Sequence, residues 1–210
     1  MYNPTHFQET RTEPLHALVR DCPLGLLVTQ SDGGGLEANS IPFLLDVDPD
    51  GRTVLRAHVA RANPVWREAR QDVDSLVVFQ GPQAYVSPNW YPSKAEHGKA
   101  VPTWDYIVVQ ARGRLAVHDD AAWLRRLVDR LTHRHEASRP QPWALGDAPA
   151  DYQQAMLRGI VGIEIPVDSL EGKWKVSQNR SAADRAGVAQ GLREQTDAGS
   201  LAMAAAVAKG

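Results

Sequence analysis

Hydrophobic positions before residue 118 fall into short runs that are typical of strands. Residues 24–30 form a compact apolar run, and the glycines at 33–35 after it predict a hairpin loop. In 52–60, polar Arg56 and His58 alternate with apolar neighbours, which gives that strand one polar and one apolar face. Further strands are predicted at 37–46, 74–80, 83–87, 104–117 and 160–166. So many strands in close succession predict a barrel.

Helical periodicity appears at the edges of this strand series. Residues 119–137 place apolar side chains on one stripe and arginines on the other, and shorter helices are predicted at 13–20 and 149–157. Ser181 and Asp184 have the spacing of a capping box, so another helix begins near Ser181. The fold class is therefore mainly β with α (α+β). The alanine-rich stretch 198–210 has little amphipathic pattern and is predicted to fray.

Composition narrows the class of protein. The chain of 210 residues is predicted to be one domain over 1–194 followed by a tail over 195–210. Its formal net charge is −2, which argues mildly against a nucleic-acid binder, although a local basic patch stays open. The single cysteine, Cys22, favours a reducing compartment, and neither a leader nor a bilayer-length apolar run is present. We expect a cytoplasmic protein that does not bind membranes.

The polar face of residues 52–60 leads directly to a helix start. Asn63 is a capping residue, and Pro64 would take the first position of a helix over 65–71. Arg56, His58 and Arg61 would supply donors to an anion at this helix start, which makes the region a candidate phosphate site. The alternative is a solvated basic face with an ordinary cap.

Residues 84–113 contain an unusually aromatic loop. Polar loops are normally rich in Gly, Asn, Asp and Ser, but this loop carries Tyr85, Trp90, Tyr91, Trp104 and Tyr106 beside Asn89, Lys94, His97 and Lys99. Rings beside cations suit a planar anionic ligand. Alternatively, the rings cap the end of a barrel or fill a subunit interface.

A third polar cluster precedes the helix that begins near Ser181. It comprises Lys173, Lys175, Gln178, Asn179 and Arg180, a stretch that leads into the positive end of that helix. The alternative is a basic strand and cap that pack on the domain. His133 and His135 are two residues apart on a helix and would diverge, so no metal site is predicted. No side chain stands out as a catalytic base.

Several motifs in order resemble one known family. The segments MYNPTHF, HVARANP, AYVSPNWYPSK, VPTWDY and KVSQNRSAADRAGV resemble the FMN-binding negative transcriptional regulators, or PaiB-like proteins, over a match from Met1 to about Leu192. The resemblance implies a split β-barrel of the FMN-binding type, related to pyridoxamine-phosphate oxidases and carrying peripheral helices. It also implies a homodimer with an FMN-type site at each subunit interface.

The resemblance also implies roles for the polar and aromatic clusters. FMN phosphate would be held by Arg56, His58, Arg61 and Asn63, and the isoalloxazine would be lined by Asn39, Ser40 and Ile41. The pocket would be closed across the dimer by Trp104 and Tyr106 with Trp90 and Tyr91. The same ligand, or the partner subunit, would be reached by Lys175, Gln178, Asn179 and Arg180.

Three functions remain open at this point. The family name implies a negative transcriptional regulator, but no helix-turn-helix is evident, so DNA contact would depend on a local cluster of Arg125, Arg126, Arg130 and Arg134. A flavin-dependent oxidoreductase or reductase acting on a small molecule is the second possibility. A dimeric binding protein with a degenerate flavin pocket, which would take another aromatic phosphate, is the third.

Overall fold

The computed structural model describes residues 1–209, which cluster into two compact units. The terminal unit combines Met1–Leu18, Phe79–Val109 and the chain from Glu171 onward. The central unit combines Val19–Val78 with Gln110–Leu170. Each unit is therefore assembled from segments that are distant in sequence.

The strands and helices follow one another in the order expected of a mixed α+β fold. The strands are β1 (Gln8–Glu9), β2 (Leu24–Gln30), β3 (Leu36–Pro42), β4 (Leu44–Val47), β5 (Thr53–Ala60), β6 (Asp74–Val86), β7 (Thr103–Arg114), β8 (Ala116–His118), β9 (Ile160–Pro166) and β10 (Ser169–Lys175). The α-helices are α1 (Thr12–Asp21), α2 (Val65–Glu68), α3 (Lys94–His97), α4 (Ala121–Glu136), α5 (Ala150–Arg158), α6 (Ala182–Arg193) and α7 (Ala198–Lys209). Single 3₁₀ turns occupy Thr5–Phe7, Pro88–Trp90 and Leu145–Asp147.

Antiparallel strands build the central unit. One sheet has the order β4-β5-β9-β8, and its register pairs His58 with Gly162, which in turn pairs with His118. A second group is the β2–β3 hairpin, in which Leu27 lies opposite Asn39, together with the first part of β6. Directly opposed residues in an antiparallel pair place their side chains on the same face. The register therefore decides which polar residues can meet.

The terminal unit combines a smaller antiparallel sheet with two packed helices. Its strands have the order β1-β10-β7-β6, with Gln8 opposite Lys173. Helices α6 and α7 pack against each other, and Met203, Ala204 and Val207 of α7 are buried. The prediction that residues 198–210 fray is therefore wrong over Ala198–Lys209, because small alanine side chains allow close helix packing without a strong amphipathic stripe.

Helix α4 covers the polar face of β5. Leu127 and Leu131 of α4 pack with Leu44 of β4, and the ring of Trp123 contacts this cluster. A Cβ atom at Gly162 would lie 2.2 Å from the Trp123 ring, so only glycine leaves room for the indole there. The prediction of an amphipathic helix over 119–137 is confirmed, and its apolar stripe lies on the sheet.

Several predicted boundaries need correction. The runs 74–80 and 83–87 form one strand, β6, because Gly81 and Pro82 continue the extended backbone where a Cβ at Gly81 would meet Leu18 at 2.7 Å. The run 37–46 divides at Phe43, after Pro42 ends the edge strand β3. The run 104–117 is likewise divided, into β7 and β8, and the helix predicted at 65–71 ends at Glu68.

Candidate functional site

Arg56 lies among carboxylates on the face of β5 that α4 covers. Its guanidinium donates to Asp46 at 2.6 Å, to Glu164 at 2.6 Å and to Asp48 at 3.1 Å. Arg130 of α4 also pairs with Asp46. The strand therefore presents Arg56 to internal carboxylates, and the guanidinium is only 19% exposed.

The network keeps its members charged. Burial opposes the charge of Arg56, but the hydrogen bonds that it donates to Asp46, Glu164 and Asp48 outweigh burial and raise the pKa of the guanidinium. Burial likewise opposes ionisation of Asp46, but its hydrogen bonds with Arg130 and Arg56 lower the pKa of that carboxyl. In this arrangement Arg56 is committed to the packing of α4, so a phosphate would have to displace a carboxylate to reach it.

His58 lies in the same row of side chains, beside the indole that fills the space above Gly162. Burial lowers the pKa of His58, and its Nδ1 has no hydrogen-bond partner among the described residues. On the other side of the row, the ring of His118 stacks on Trp123 with centroids 4.3 Å apart and an interplanar angle of 7°. Because burial lowers the pKa of His58, it favours the neutral imidazole at this position, and a neutral imidazole is a poorer partner for phosphate than a cation.

Arg61 and Asn63 follow β5, and their side chains go to different places. Arg61 makes a two-point contact with Asp119 and donates to the carbonyls of Arg158 and Ile160, so its donors are also in use. Asn63 accepts from the backbone N–H of Val65 at 3.0 Å and donates to Asn39 at 2.9 Å. The turn at Asn63 is thus capped as predicted, although the helix after it is a single turn.

A cavity of about 430 Å³ lies beside the bond between Asn39 and Asn63. Its polar lining comes from Thr29, Ser31, Glu37, Asn39, Asn63 and Glu68, and its apolar lining from Ala62, Pro64, Val65 and Ala69. Thr29, Glu37 and Asn39 share one face of the β2–β3 hairpin because Thr29 lies opposite Glu37. Alternation along β3 places Ser40 on the other face, while Ile41 is buried. The structure therefore unites Asn39 and Asn63 at this cavity and separates Ser40 from them.

Residues 175–180 of the third predicted cluster belong to the terminal unit. Lys175 and Gln178 in this range already have hydrogen-bond partners within the fold. Lys175 donates to the hydroxyl of Thr103 at 2.8 Å, to the carbonyl of Trp104 and to the carboxylate of Asp105 at 3.3 Å. Gln178 accepts from the N–H of Val176 and donates to the carbonyl of Trp174. These bonds fix the turn that leads into α6.

Asn179 and Arg180 of this cluster differ in exposure, since Arg180 is half-buried. Asn179 is exposed, and the guanidinium of Arg180 lies 4.9 Å from the centroid of the Tyr91 ring. Ser181 accepts from the N–H of Asp184 at 3.2 Å, which confirms the predicted start of α6. The Asp184 carboxylate does not complete the capping box and instead accepts from the N–H and hydroxyl of Ser93.

Sequence reasoning missed Asp105, which anchors the turn. Asp105 is 1% exposed and accepts from the hydroxyl of Ser177 at 2.6 Å. Burial raises the pKa of the Asp105 carboxyl, although hydrogen bonding to Ser177 and the charge of Lys175 act against this. Ser177 has φ of 59°, which no other non-glycine residue shares in the described chain. Asp105 stands alone between two aromatic residues in VPTWDY, and that position was its one available signal.

The predicted aromatic loop forms part of a groove in the terminal unit. We call it the aromatic groove, with a volume of about 730 Å³, lined by Gln83, Ala84, Tyr85, Ser87, Trp90, Trp104, Gln195, Asp197, Gly199 and Ser200. Tyr85 and Trp104 are 48% and 54% exposed, and their rings meet edge to face. No Lys, Arg or His of residues 1–209 belongs to this lining, so the expected pairing of rings with cations does not occur there.

Two negative findings apply to residues 1–209. No helix in this range is long and apolar enough to cross a bilayer. No group of three or more His, Cys, Asp or Glu side chains in the same range is arranged to hold a metal ion.

Comparison with known proteins gives the family. The chain belongs to the family described as "Putative FMN-binding domain", whose sequence profile matches residues 1–169. It is 30% identical to the Bacillus subtilis protein called Protease synthase and sporulation protein PAI 2, over 97% of this chain and 95% of that protein. It is 35% identical to an uncharacterized protein of Emericella nidulans, over 95% of this chain and 93% of that protein. The resemblance to the PaiB-like family is thereby confirmed.

Solved structures confirm the fold. The flavocytochrome Anf3 from Azotobacter vinelandii superposes with a TM-score of 0.57 at 13% identity, over 80% of this chain and 69% of that one. The FAD and heme binding protein from Mycobacterium smegmatis superposes with a TM-score of 0.57 at 20% identity, over 80% of this chain and 73% of that one. The architecture is the predicted split barrel with peripheral helices, and FMN is the cofactor that the family defines.

The central-unit cavity fits the uncharged parts of FMN. Amides of Asn39 and Asn63 and hydroxyls of Thr29 and Ser31 suit a polyol chain and the polar edge of a flavin ring. The charged groups of the lining are carboxylates, and Arg61 is turned towards Asp119. The phosphate would thus depend on donors outside this lining. The phosphate-binding roles predicted for Arg56, His58 and Arg61 stay predictions.

Proposed function

We propose that this protein is an FMN-binding negative regulator of transcription of the PaiB-like type. The observation that carries the proposal is the match to PAI 2 of Bacillus subtilis, whose name concerns protease synthesis and sporulation, over nearly the full length of both chains. Because the matched length includes both the flavin family profile and the region after it, flavin binding and regulation are proposed for one and the same polypeptide.

Asn39 and Asn63 are the residues that we expect to hold the flavin. Their mutual hydrogen bond positions both amides at the cavity, and each amide retains groups that can bond a ligand. When bound, FMN would supply redox chemistry or a signal of flavin availability. The protein contributes orientation through the two amides and shielding through Val65 and Ala69, which are buried beside them.

An apolar face of the central unit supports the proposed homodimer. Leu24, Leu26 and Leu36 are 62%, 40% and 75% exposed, and they lie on the face of the β2–β3 hairpin opposite to Asn39. Half-buried Val28 extends this surface, and Val78 of β6 lies opposite Leu26. A sheet face that exposes several leucines is typical of a protein interface, and a second copy is the occupant that the family resemblance implies.

Three of the four arginines in the α4 cluster bond to partners within the fold, and Arg126 is exposed. Arg125 donates to Gln153, Arg130 to Asp46, and Arg134 to the carbonyl of Arg20. Such commitments reduce the cations available to phosphates, and the formal net charge of −2 adds no general attraction. We therefore place the regulatory contact elsewhere than on α4.

The flavin proposal is tested by a visible absorption spectrum of the purified protein, followed by titration with FMN. We expect a flavin spectrum or saturable binding. Asn39→Ala should weaken binding about tenfold, which is the usual contribution of a hydrogen bond or two. Gln71→Ala, at an exposed position outside the cavity, is the control and should leave binding unchanged. Absence of FMN binding at micromolar concentration would refute the proposal.

The dimer is tested by native mass on dilution. Leu26→Arg places a charge in the apolar face and should give a monomer, because an unpaired charge is costly in an interface. Leu201→Arg is the control, since Leu201 is 46% exposed on α7, and this variant should stay dimeric. A wild-type protein that is monomeric at micromolar concentration would exclude the shared interface.

Regulation itself is tested by recovery of genomic DNA fragments with the FMN-loaded protein. Enrichment of particular fragments that survives a rise in salt from 50 to 200 mM would support a direct transcriptional role, because non-specific phosphate binding declines steeply over about that range. Recovery that disappears evenly across all fragments would refute direct DNA recognition.

A flavin-dependent reductase is the second candidate. The commitment of Arg125, Arg130 and Arg134 to internal partners favours it, because it reduces the basic face that α4 could offer to DNA. Oxidation of NADH or NADPH by the FMN-loaded protein, with bleaching of the flavin under anaerobic conditions, would establish it. An unbleached flavin would exclude these two donors.

A cytoplasmic location is also proposed. Cys22 is a free, half-buried thiol, and burial together with the charge of Asp21 raises its pKa. A protonated thiol of this kind is suited to a reducing compartment. Fractionation of cells expressing the tagged chain tests the location.

A further inference from the structure

The aromatic groove has the features of a second small-molecule site. It lies wholly within the terminal unit, whereas the cavity at Asn39 and Asn63 is formed by the central unit. Its volume of about 730 Å³ falls within the usual range for ligand pockets. The groove and the cavity at Asn39 and Asn63 have no lining residue in common, so a flavin bound in that cavity would not explain the groove.

Trp90 is a rigid wall of the groove. A Cβ on Gly187 would lie 2.0 Å from the carbonyl oxygen of Trp90, and one on Gly191 would lie 2.3 Å from its indole. The two glycines are one helical turn apart on α6, so together they make a flat seat for this residue. A ring fixed in this way needs little further ordering when a ligand stacks beside it.

Small residues form one surface of the groove, which we call its floor. Gly199 lies in the first turn of α7, where a Cβ would lie 3.1 Å from the carbonyl of Gln83. Ser200 and Ala84 complete this floor and are buried. Above them, Tyr85 and Trp104 present about half of their surfaces to solvent. Large rings over a shallow, small-residue floor leave a slot that is suited to a flat molecule.

The charge of the lining selects the kind of flat molecule. Asp197 is the charged residue of the lining within residues 1–209, and it caps α7 by accepting from the N–H of Ser200 at 2.8 Å. Hydrogen bonds from the side chain and the backbone N–H of Ser200 lower the pKa of Asp197, so the carboxylate is ionised at neutral pH. The faces of Trp and Tyr rings also attract positive charge. An anion such as phosphate finds no complementary cation in this lining.

We propose that the aromatic groove binds a planar heteroaromatic cation, held between the Trp90 and Trp104 rings beside the Asp197 carboxylate. This site is separate from the flavin cavity and does not depend on the proposed regulatory role. It also replaces the sequence-based expectation of a planar anion at the aromatic loop, because Lys94, His97 and Lys99 are outside the groove lining.

The probe for this proposal is 1-methylnicotinamide, a small planar cation that quenches indole fluorescence. We expect saturable quenching and retention in equilibrium dialysis, with Kd at or below about 1 mM, which a ligand of this size reaches at ordinary efficiency. Neutral nicotinamide, which has the same ring without the charge, should bind about two- to fivefold more weakly if an exposed cation–π contact contributes.

Variants locate the binding. Trp104→Leu should remove most of the saturable component, and Tyr85→Leu tests the same wall if Trp104→Leu fails to fold by circular dichroism. Trp143→Leu is the matched control, because Trp143 is 46% exposed but belongs to the central unit, and it should keep full affinity. Asp197→Asn preserves a capping side chain and should weaken the cation about two- to fivefold, as for an exposed charge pair, while leaving nicotinamide unchanged.

Competition with FMN separates this proposal from the flavin site. Undiminished binding of 1-methylnicotinamide in the presence of saturating FMN supports two sites, whether or not the regulatory proposal holds. Displacement by FMN would assign Trp104 to the flavin, as the family resemblance implies, and would overturn the proposal. Quenching without saturation, or equal losses in Trp104→Leu and Trp143→Leu, would also overturn it.

Discussion

Helices α4 and α6 are attached to their units by different kinds of interaction. Around α4, Arg130 pairs with Asp46 and Arg134 donates to the carbonyl of Arg20, so charged groups supplement the apolar stripe. Helix α6 approaches Trp90 closely at Gly187 and Gly191, where the missing side chains are the basis of the fit. The attachment of α4 therefore depends on charged groups, and the attachment of α6 depends on the small volume of its glycines.

The difference shows that a basic stretch of sequence does not by itself decide how many of its cations are available. The phosphate-binding roles of Arg56 and Arg61 stay predictions, and in this fold Glu164 and Asp119, which are far away in sequence, accept from these two side chains. A cation is available to a ligand only if no carboxylate of the fold reaches it first. The glycines of α6 are the opposite case. Glycine inside a helix is normally unfavourable, but here Gly187 and Gly191 make room for Trp90.

The largest expected effect is that of Arg56→Ala on the charge-dependent region. Removing the guanidinium leaves Asp46, Asp48 and Glu164 without their shared partner, and we expect the free energy of unfolding to fall by about 3–5 kcal/mol. Urea denaturation measures this loss. Arg52→Ala is the matched control, since Arg52 is exposed just before β5, and it should change stability by no more than about 0.5 kcal/mol. Equal losses would remove the distinction between the two arginines.

Gly191→Ala is expected to affect the volume-dependent region next most strongly. The added methyl group would meet the Trp90 indole, so we expect a loss of about 1–3 kcal/mol despite the better helix propensity of alanine. Gly146→Ala is the control, because nothing lies within 4 Å of the added Cβ there. The loss at Gly191 should be the same at low and high salt. A loss that varied with salt would contradict a steric origin.

Ser177 tests the backbone of the turn that leads into α6. Ser177→Gly and Ser177→Ala both remove the hydroxyl that donates to Asp105, so their difference isolates the cost of φ at 59°. Because only glycine adopts this region without strain, the Gly variant should be more stable than the Ala variant by about 1 kcal/mol. Equal stabilities in thermal or urea unfolding would mean that the turn relaxes.

The smallest expected effect is a pH dependence at Asp105. Its pKa is raised above the ordinary value of 3.8, so over the interval between the two values the folded state holds more protons than the unfolded state. The unfolding free energy of the wild type should therefore decline as pH rises through that interval, and Asp105→Asn should lack this decline. Urea denaturation from acid to neutral pH measures the difference in unfolding free energy between the two proteins. As pH rises, this difference should change in favour of Asp105→Asn. A difference that changes in favour of the wild type as pH rises would indicate that the pKa of Asp105 is lowered.

Strands and helices with local signals were predicted well. The β2–β3 hairpin, β9, α4 and the Ser181 cap of α6 appear close to their predicted places, because apolar runs, turn glycines and capping residues act over a few positions. The prediction was wrong for the tail, since the stability of α7 comes from packing against α6 and not from its own pattern.

The candidate site was predictable only in part. The segment around Asn39 and the segment around Asn63 were both selected, but nothing local shows that their amides form one hydrogen bond at a cavity. Asp105 was not selected because its role depends on burial and on the hydrogen bond from Ser177, which lies in the turn after β10.

The sequence by itself determined the family, the cofactor class, the alternation of polar and apolar faces along β5 and most helix starts. Those properties depend on residue identity and on neighbours within about one turn or one strand. Only the tertiary structure decided which face of β5 is covered by α4, which cations are neutralised and which aromatic rings stay exposed at the groove. Such outcomes depend on pairings across the fold, such as Arg56 with Glu164, where sequence distance carries no information about spatial distance.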